Sequence, residues 1–169
     1  INNNEATSGG GIFMGFGCSL ISSDNLYSNN MAILNGGAIY LKETKELESN
    51  SDQFINNHGF NGGCIYIFNP LENKFSLKAT TFKDCAASVS GGAVYFEVNG
   101  LASADYKLTA SSIEATNNNA MNGAGGIFYW KKDDQIMNFN MLPGVKVSFK
   151  VNEGNYAKVG NILASGPCK

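Results

Sequence analysis

Few side chains in this sequence are of the types that do chemistry, and their spacing decides how far each can be taken. His58 is the sole imidazole, in Asn57-His58-Gly59, and acts as an acid or base only with a carboxylate partner brought close. Its setting in a turn reads more simply as an exposed polar residue. Cys18, Cys64, Cys85 and Cys168 form no C-x-x-C pair, and with one histidine they offer no clustered zinc ligands. Nucleophilic catalysis by any of them needs a neighbouring base that the sequence does not supply. Glycoside hydrolysis needs two facing carboxylates, and a lyase needs an acidic calcium cluster with a strong base. Asp133-Asp134 is the only adjacent acid pair, in a Lys131-Lys132-Asp133-Asp134 run that reads as a solvated turn, while Asp24, Asp52, Asp84 and Asp105 each stand near a different turn. Gly15-Phe16-Gly17 and Gly123-Ala124-Gly125 are fragments of a phosphate-loop pattern that lack the third glycine and the following helix. The expectation is that the chain is not an enzyme, with no catalytic residue, cofactor or metal.

Composition narrows the partners. Every one of the 12 basic residues is Lys, which removes the bidentate fork that clamps phosphates and carboxylates. The net charge of −2 is spread along the chain, so nucleic acid is not an expected partner. With 43% hydrophobic residues over 169 positions the chain can bury one continuous core. There is no apolar run of 18 residues, and Ile1 falls in the middle of a repeat, so residues 1–169 read as a single repeat domain cut from something longer.

What must position all these groups is an internal repeat. A glycine-rich phrase recurs at Gly9-Gly10-Gly11-Ile12-Phe13, Gly36-Gly37-Ala38-Ile39-Tyr40, Gly62-Gly63-Cys64-Ile65-Tyr66 and Gly91-Gly92-Ala93-Val94-Tyr95, with weaker copies at Ala124 to Phe128 and Val159 to Leu163. Its aliphatic anchors are Ile12, Ile39, Ile65, Val94, Ile127 and Ile162, spaced 27, 26, 29, 33 and 35 residues apart. A second phrase, apolar-x-x-Asn, precedes each next copy: Leu26 with Asn29, Phe54 with Asn57, Phe149 with Asn152, and without the Asn Phe82 with Cys85 and Ile113 with Thr116. A third apolar point falls at Leu20, Leu47, Leu77, Leu108 or Phe139.

Three short strands per unit, parted by Gly, Asn and polar turns, predict an all-β chain: a right-handed parallel β-helix solenoid of about six coils. Alternation puts Ile39/Leu41, Ile65/Ile67, Val94/Phe96 and Ile127/Tyr129 inward. Lys42, Phe68, Glu97 and Trp130 then face outward. Repeated Asn beside the turns can stack as an amide ladder. The length drift places loops at Lys42 to Glu46, Asn69 to Lys74, Glu97 to Asp105 and Lys131 to Gln135, along one edge. Cys64 and Cys85 stand where other copies have Ala and Asn, which fits inert packing or a coil-to-coil disulfide. Phe13, Tyr40, Tyr66, Tyr95 and Phe128 share one strand position and predict an aromatic ladder that stiffens the stack or offers a strip to sugars or another protein.

The alternation of Gly-Gly-Ala-Ile, complete at Gly36 to Ile39, with Phe-x-x-Asn, complete at Phe54 to Asn57 and Phe149 to Asn152, resembles the repeats of chlamydial polymorphic outer-membrane proteins. Similar repeats occur in large surface proteins of ciliates and other protists, and the Asn-rich, Arg-free composition is in keeping with such genomes. The resemblance implies a pectin-lyase-like β-helix working as an extracellular or cell-surface adhesive or structural scaffold. Its partners would be other proteins or surface glycans, met within a larger chain or assembly by lateral or end-to-end association. A carbohydrate-binding module is the next reading, and a polysaccharide lyase or hydrolase comes after it.

Overall fold

The computed structural model describes residues 1–72, 74–99, 108–132, 150–151, 155–159 and 163–165. The described residues form four parallel sheets that the chain visits in turn, returning to each after one repeat. An aromatic sheet contains Ile12–Met14, Ile39–Lys42, Ile65–Phe68, Val94–Val98, Phe128–Lys132 and Leu163–Ser165. A leucine sheet follows, with Ser19–Ser23, Glu46–Asn50, Lys74–Lys78 and Leu108–Ser111. A phenylalanine sheet has Leu26–Ser28, Gln53–Ile55, Thr81–Lys83, Glu114–Thr116 and Lys150–Val151. The fourth holds mostly short strands: Glu5–Ala6, Met31–Ala32, His58–Gly59, Ala86–Ala87, Asn119–Ala124 and Tyr156–Val159. Circuits whose residues are all described thus have four strands where three were expected. The extra one is only two residues long in most circuits, too short for a period-2 pattern to be visible.

Ile12, Ile39, Ile65 and Val94 stand above one another as direct register partners. Ile39, Leu41, Ile65, Ile67, Val94 and Phe96 are all buried, in one cluster with Leu47, Phe54 and Phe82. An isolated circuit has no second layer for these side chains, so the core exists only between stacked circuits. Two glycines show why the entry phrase is fixed. Gly36 has φ +67°, and a Cβ there would lie 2.2 Å from the Ile39 carbonyl oxygen. At Gly37 a Cβ would come 2.1 Å from the Gly63 oxygen of the next circuit.

The fifth copy departs from the expected register by one residue. The positive φ falls on Gly125, so Ile127 takes the slot of Ala93, and Phe128, not Ile127, pairs with Val94. Because side chains alternate, this slip exchanges the faces of Phe128, Tyr129 and Trp130. Phe128 and Trp130 turn inward, Trp130 stacking on Phe96 at 4.2 Å between ring centroids, and Tyr129 turns outward. Two other rows also differ from the expected ones. The leucine-sheet row is Leu20, Leu47, Phe75 and Leu108, with Leu77 two residues further along and also inward. The phenylalanine-sheet row is Tyr27, Phe54, Phe82 and Ala115, while Leu26 is exposed. Ile162, Phe139, Phe149 and Asn152 lie outside the described residues.

Candidate functional site

Two side-chain columns run along the stack, one inside and one outside. The inner one is built of amides. Asn4 Nδ2 donates to Asn30 Oδ1 at 2.8 Å, Asn30 Nδ2 to Asn57 Oδ1 at 2.9 Å, and Asn118 Nδ2 to Asn155 Oδ1 at 3.0 Å. These residues follow, by one position, the left-handed Asn3, Asn29, Asn56 and Asn117 that turn the corner. The ladder therefore uses Asn30 rather than the expected Asn29, and Asn118 in the circuit whose phrase ends on Thr116: the corner residue needs positive φ, and its successor is the one that points inward. Cys85 interrupts the column, and its backbone N–H donates to Asn118 Oδ1 at 3.1 Å. Cys85 is disulfide-bonded to Cys64, with 5.7 Å between Cα atoms. The two are 21 residues apart, less than one repeat, so the bridge closes a single circuit into a ring rather than stapling one coil to another. Cys18 carries a free, exposed thiol, and Cys168 lies outside the described residues.

The outer column is aromatic. Phe13, Tyr40, Tyr66 and Tyr95 follow one another at centroid distances of 5.3, 5.1 and 5.0 Å, the first two contacts edge-to-face and the third stacked, and Tyr129 follows, tilted, at 4.9 Å. Phe128 is not a member; it faces the core against Phe82. Phe13 is 56% exposed, whereas Tyr66 and Tyr95 keep only 4% and 6%. The open part of the strip is thus its first ring. The Tyr66 hydroxyl donates to Glu97 Oε2, and Lys131 Nζ lies 2.8 Å from Glu97 Oε1. Burial, then the hydrogen bond to Glu97, hold the Tyr66 phenol well above its ordinary pKa; burial and the Glu97 charge do the same for Tyr95. These phenols stay protonated through the physiological range and contribute stacking, not proton transfer.

The titratable residues flagged in the sequence are dispersed. His58 is half-buried on the short-strand sheet, with Met31 and Ala86 as its register partners. Asp24 and Asp84 occupy left-handed corners of different kinds. Asp52 is fully buried and accepts hydrogen bonds from the Asn25 backbone N–H at 2.9 Å and the Ser49 hydroxyl at 2.6 Å. Its role in tying two circuits together was not read from the sequence, although the Ser49-x-x-Asp52 spacing at a turn is the signal for it. Among the described residues no group of three or more His, Cys, Asp or Glu could hold a metal ion. Asp105, Asp133 and Asp134 are outside them. No described helix is long and apolar enough to cross a membrane. Compared with protein families, characterised proteins and solved structures, the chain gives no match.

Proposed function

We propose that the chain is a right-handed parallel β-helix of about six coils, forming one domain over residues 1–169. Its work is structural and adhesive: a stiff rod on an extracellular or cell surface, presenting side chains to other proteins or to surface glycans. The observation that carries this reading is the unbroken vertical register of Ile12, Ile39, Ile65 and Val94 under a parallel column of outward aromatic rings. Such a stack spends its apolar residues on rigidity along one axis and leaves its outer rows free to vary, which is what a spacer or adhesin requires. At roughly 4.8 Å per coil, six coils make a rod about 29 Å long. The likeness of the Gly-Gly-Ala-Ile and Phe-x-x-Asn phrases to the surface-protein repeats described above supports the same reading.

The test is adhesion under flow. Beads carrying the folded protein are passed over surfaces coated with cell-surface proteins or with mixed glycans. Saturable retention, competed by free protein, is the expected result. Absence of retention together with steady release of reducing ends or unsaturated sugars from the glycan surface would replace this reading with the polysaccharide-processing one.

A further inference from the structure

The connections from the aromatic sheet to the leucine sheet surround a hollow of about 280 Å³ that the strand pattern alone does not require. Four successive circuits contribute to it. Phe16 comes from the first, Glu43 from the second, Asn69, Pro70 and Leu71 from the third, and Val98 and Asn99 from the fourth. Glu43 and Asn69 hold left-handed corners with φ +54° and +45°, which turn the chain sharply and open the space between circuits.

Phe16 is the least explained residue of the hollow. It is 76% exposed, the most of any large apolar side chain among the described residues, and it stands between Gly15 and Gly17. A Cβ at Gly17 would meet nothing within 4 Å. Packing gives no reason for a phenyl ring held in solvent on a glycine-flanked corner. Part of the remaining lining is polar, beside Pro70, Leu71 and Val98. The Asn69 side-chain oxygen accepts the Asn99 backbone N–H at 2.7 Å, while the Asn69 amide nitrogen has no hydrogen-bond partner among the described residues. Glu43 and Asn99 are the other polar residues of the lining. Among the described residues no Lys or His lines the space and the only charge is negative, so an anion is disfavoured.

From this arrangement we infer that the hollow is a subsite for one neutral pyranose ring. A pyranose offers an apolar C–H face to an aromatic ring and equatorial hydroxyls to amide and carboxylate groups. The lining of the hollow holds both kinds of group. Its volume lies at the small end of the ~300–1,000 Å³ typical of ligand pockets, which suits a single ring better than an extended chain. Nor is an extended peptide favoured, since the lining consists of corners rather than a free strand edge. The inference rests on the surface-scaffold reading insofar as glycans are among its partners, and it names where one would sit.

The test uses the whole chain and ligand-observed saturation-transfer NMR with methyl β-glucoside, methyl β-galactoside, methyl α-mannoside and N-acetylglucosamine at millimolar concentration. At least one is expected to receive saturation, strongest on its ring C–H protons. F16A, an exposed position, is expected to weaken it about tenfold without changing the melting temperature. N69G keeps the left-handed corner, removes the carboxamide and should weaken binding several-fold. E43Q trades one acceptor oxygen for an amide and should weaken binding a few-fold without abolishing it. No saturation of any of the four, or binding that F16A leaves unchanged, overturns the subsite. So does binding confined to cationic glucosamine, run as a fifth ligand, and abolished by E43Q. Bead retention measured on F16A separates the two readings: if retention persists while sugar binding is gone or was never present, the scaffold reading stands alone.

Discussion

Asn30 donates its side-chain amide to Asn57 at 2.9 Å, and both residues are shut off from water, at 1% and 0% exposure. Asn57 in turn donates to the Tyr27 carbonyl oxygen at 2.9 Å and lies 3.4 Å from Cys64 Sγ. One carboxamide therefore satisfies polar groups of two circuits. N57A would leave the Asn30 amide and the Tyr27 carbonyl without it in a dry interior, at an expected cost of about 2–4 kcal/mol. Urea unfolding followed by circular dichroism checks this, and a cost below ~1 kcal/mol would mean that water enters the ladder.

Removing the Cys64–Cys85 bridge frees a loop of 21 residues in the unfolded chain, for which loop entropy gives about 3 kcal/mol. C64A/C85A should lose that amount. C64A/C85N should recover about 1 kcal/mol of it, because Ala already fills the first slot at Ala38 and Ala93, and Asn at position 85 would join Asn57 to Asn118. Equal stability of the two double variants would show that the ladder and the bridge are not interchangeable.

Register in the fifth copy separates two neighbouring aromatic residues. F128A empties a core position beside Phe82 and should cost about 3–5 kcal/mol. Y129A removes an outer ring tilted against Tyr95 and should cost about 1 kcal/mol. The reverse order would restore the Ile127 register expected from the sequence.

Tyr66 and Tyr95 are both held above the phenol value of 10.0, first by burial and then by Glu97. Below pH 10 folded and unfolded chains bind the same phenolic protons. Above it the unfolded chain loses them first, so stability present below pH 10 falls as pH rises, by at most about 1.4 kcal/mol per pH unit for each phenol. Urea midpoints between pH 9 and 11.5 should drop steeply, and Y66F/Y95F should flatten the slope. A flat wild-type profile would place these hydroxyls in water.

The repeat was legible because its punctuation is chemical. Gly36 and Gly37 sit where backbone geometry admits little else, and Ile39, Ile65 and Val94 follow at fixed distance. What sequence spacing could not give was phase. Ile127-Phe128 looks like Ile65-Tyr66, yet the Gly125 corner sets the count, and an isoleucine in the small-residue slot hides the shift. Asn29-Asn30 poses the same difficulty: either amide fits the pattern, and only the corner geometry says which turns inward. The Glu97 contact with Tyr66 and Lys131 and the Phe16 hollow unite residues from separate circuits whose side chains carry no shared spacing.

The corners at Asn35-Gly36 and Asn61-Gly62 have a chemical consequence for how the protein ages. In an unfolded chain, Asn-Gly is the step most prone to cyclise, as the glycine nitrogen attacks the asparagine side-chain carbonyl and ammonia leaves. Here the Gly36 and Gly62 nitrogens donate instead to Asn61 and Ser90 of the next circuit, each at 3.0 Å. Loss of ammonia at these two steps therefore waits on the parting of adjacent rungs, and the slow appearance of isoaspartate at positions 35 and 61 becomes a clock for how often the stack opens.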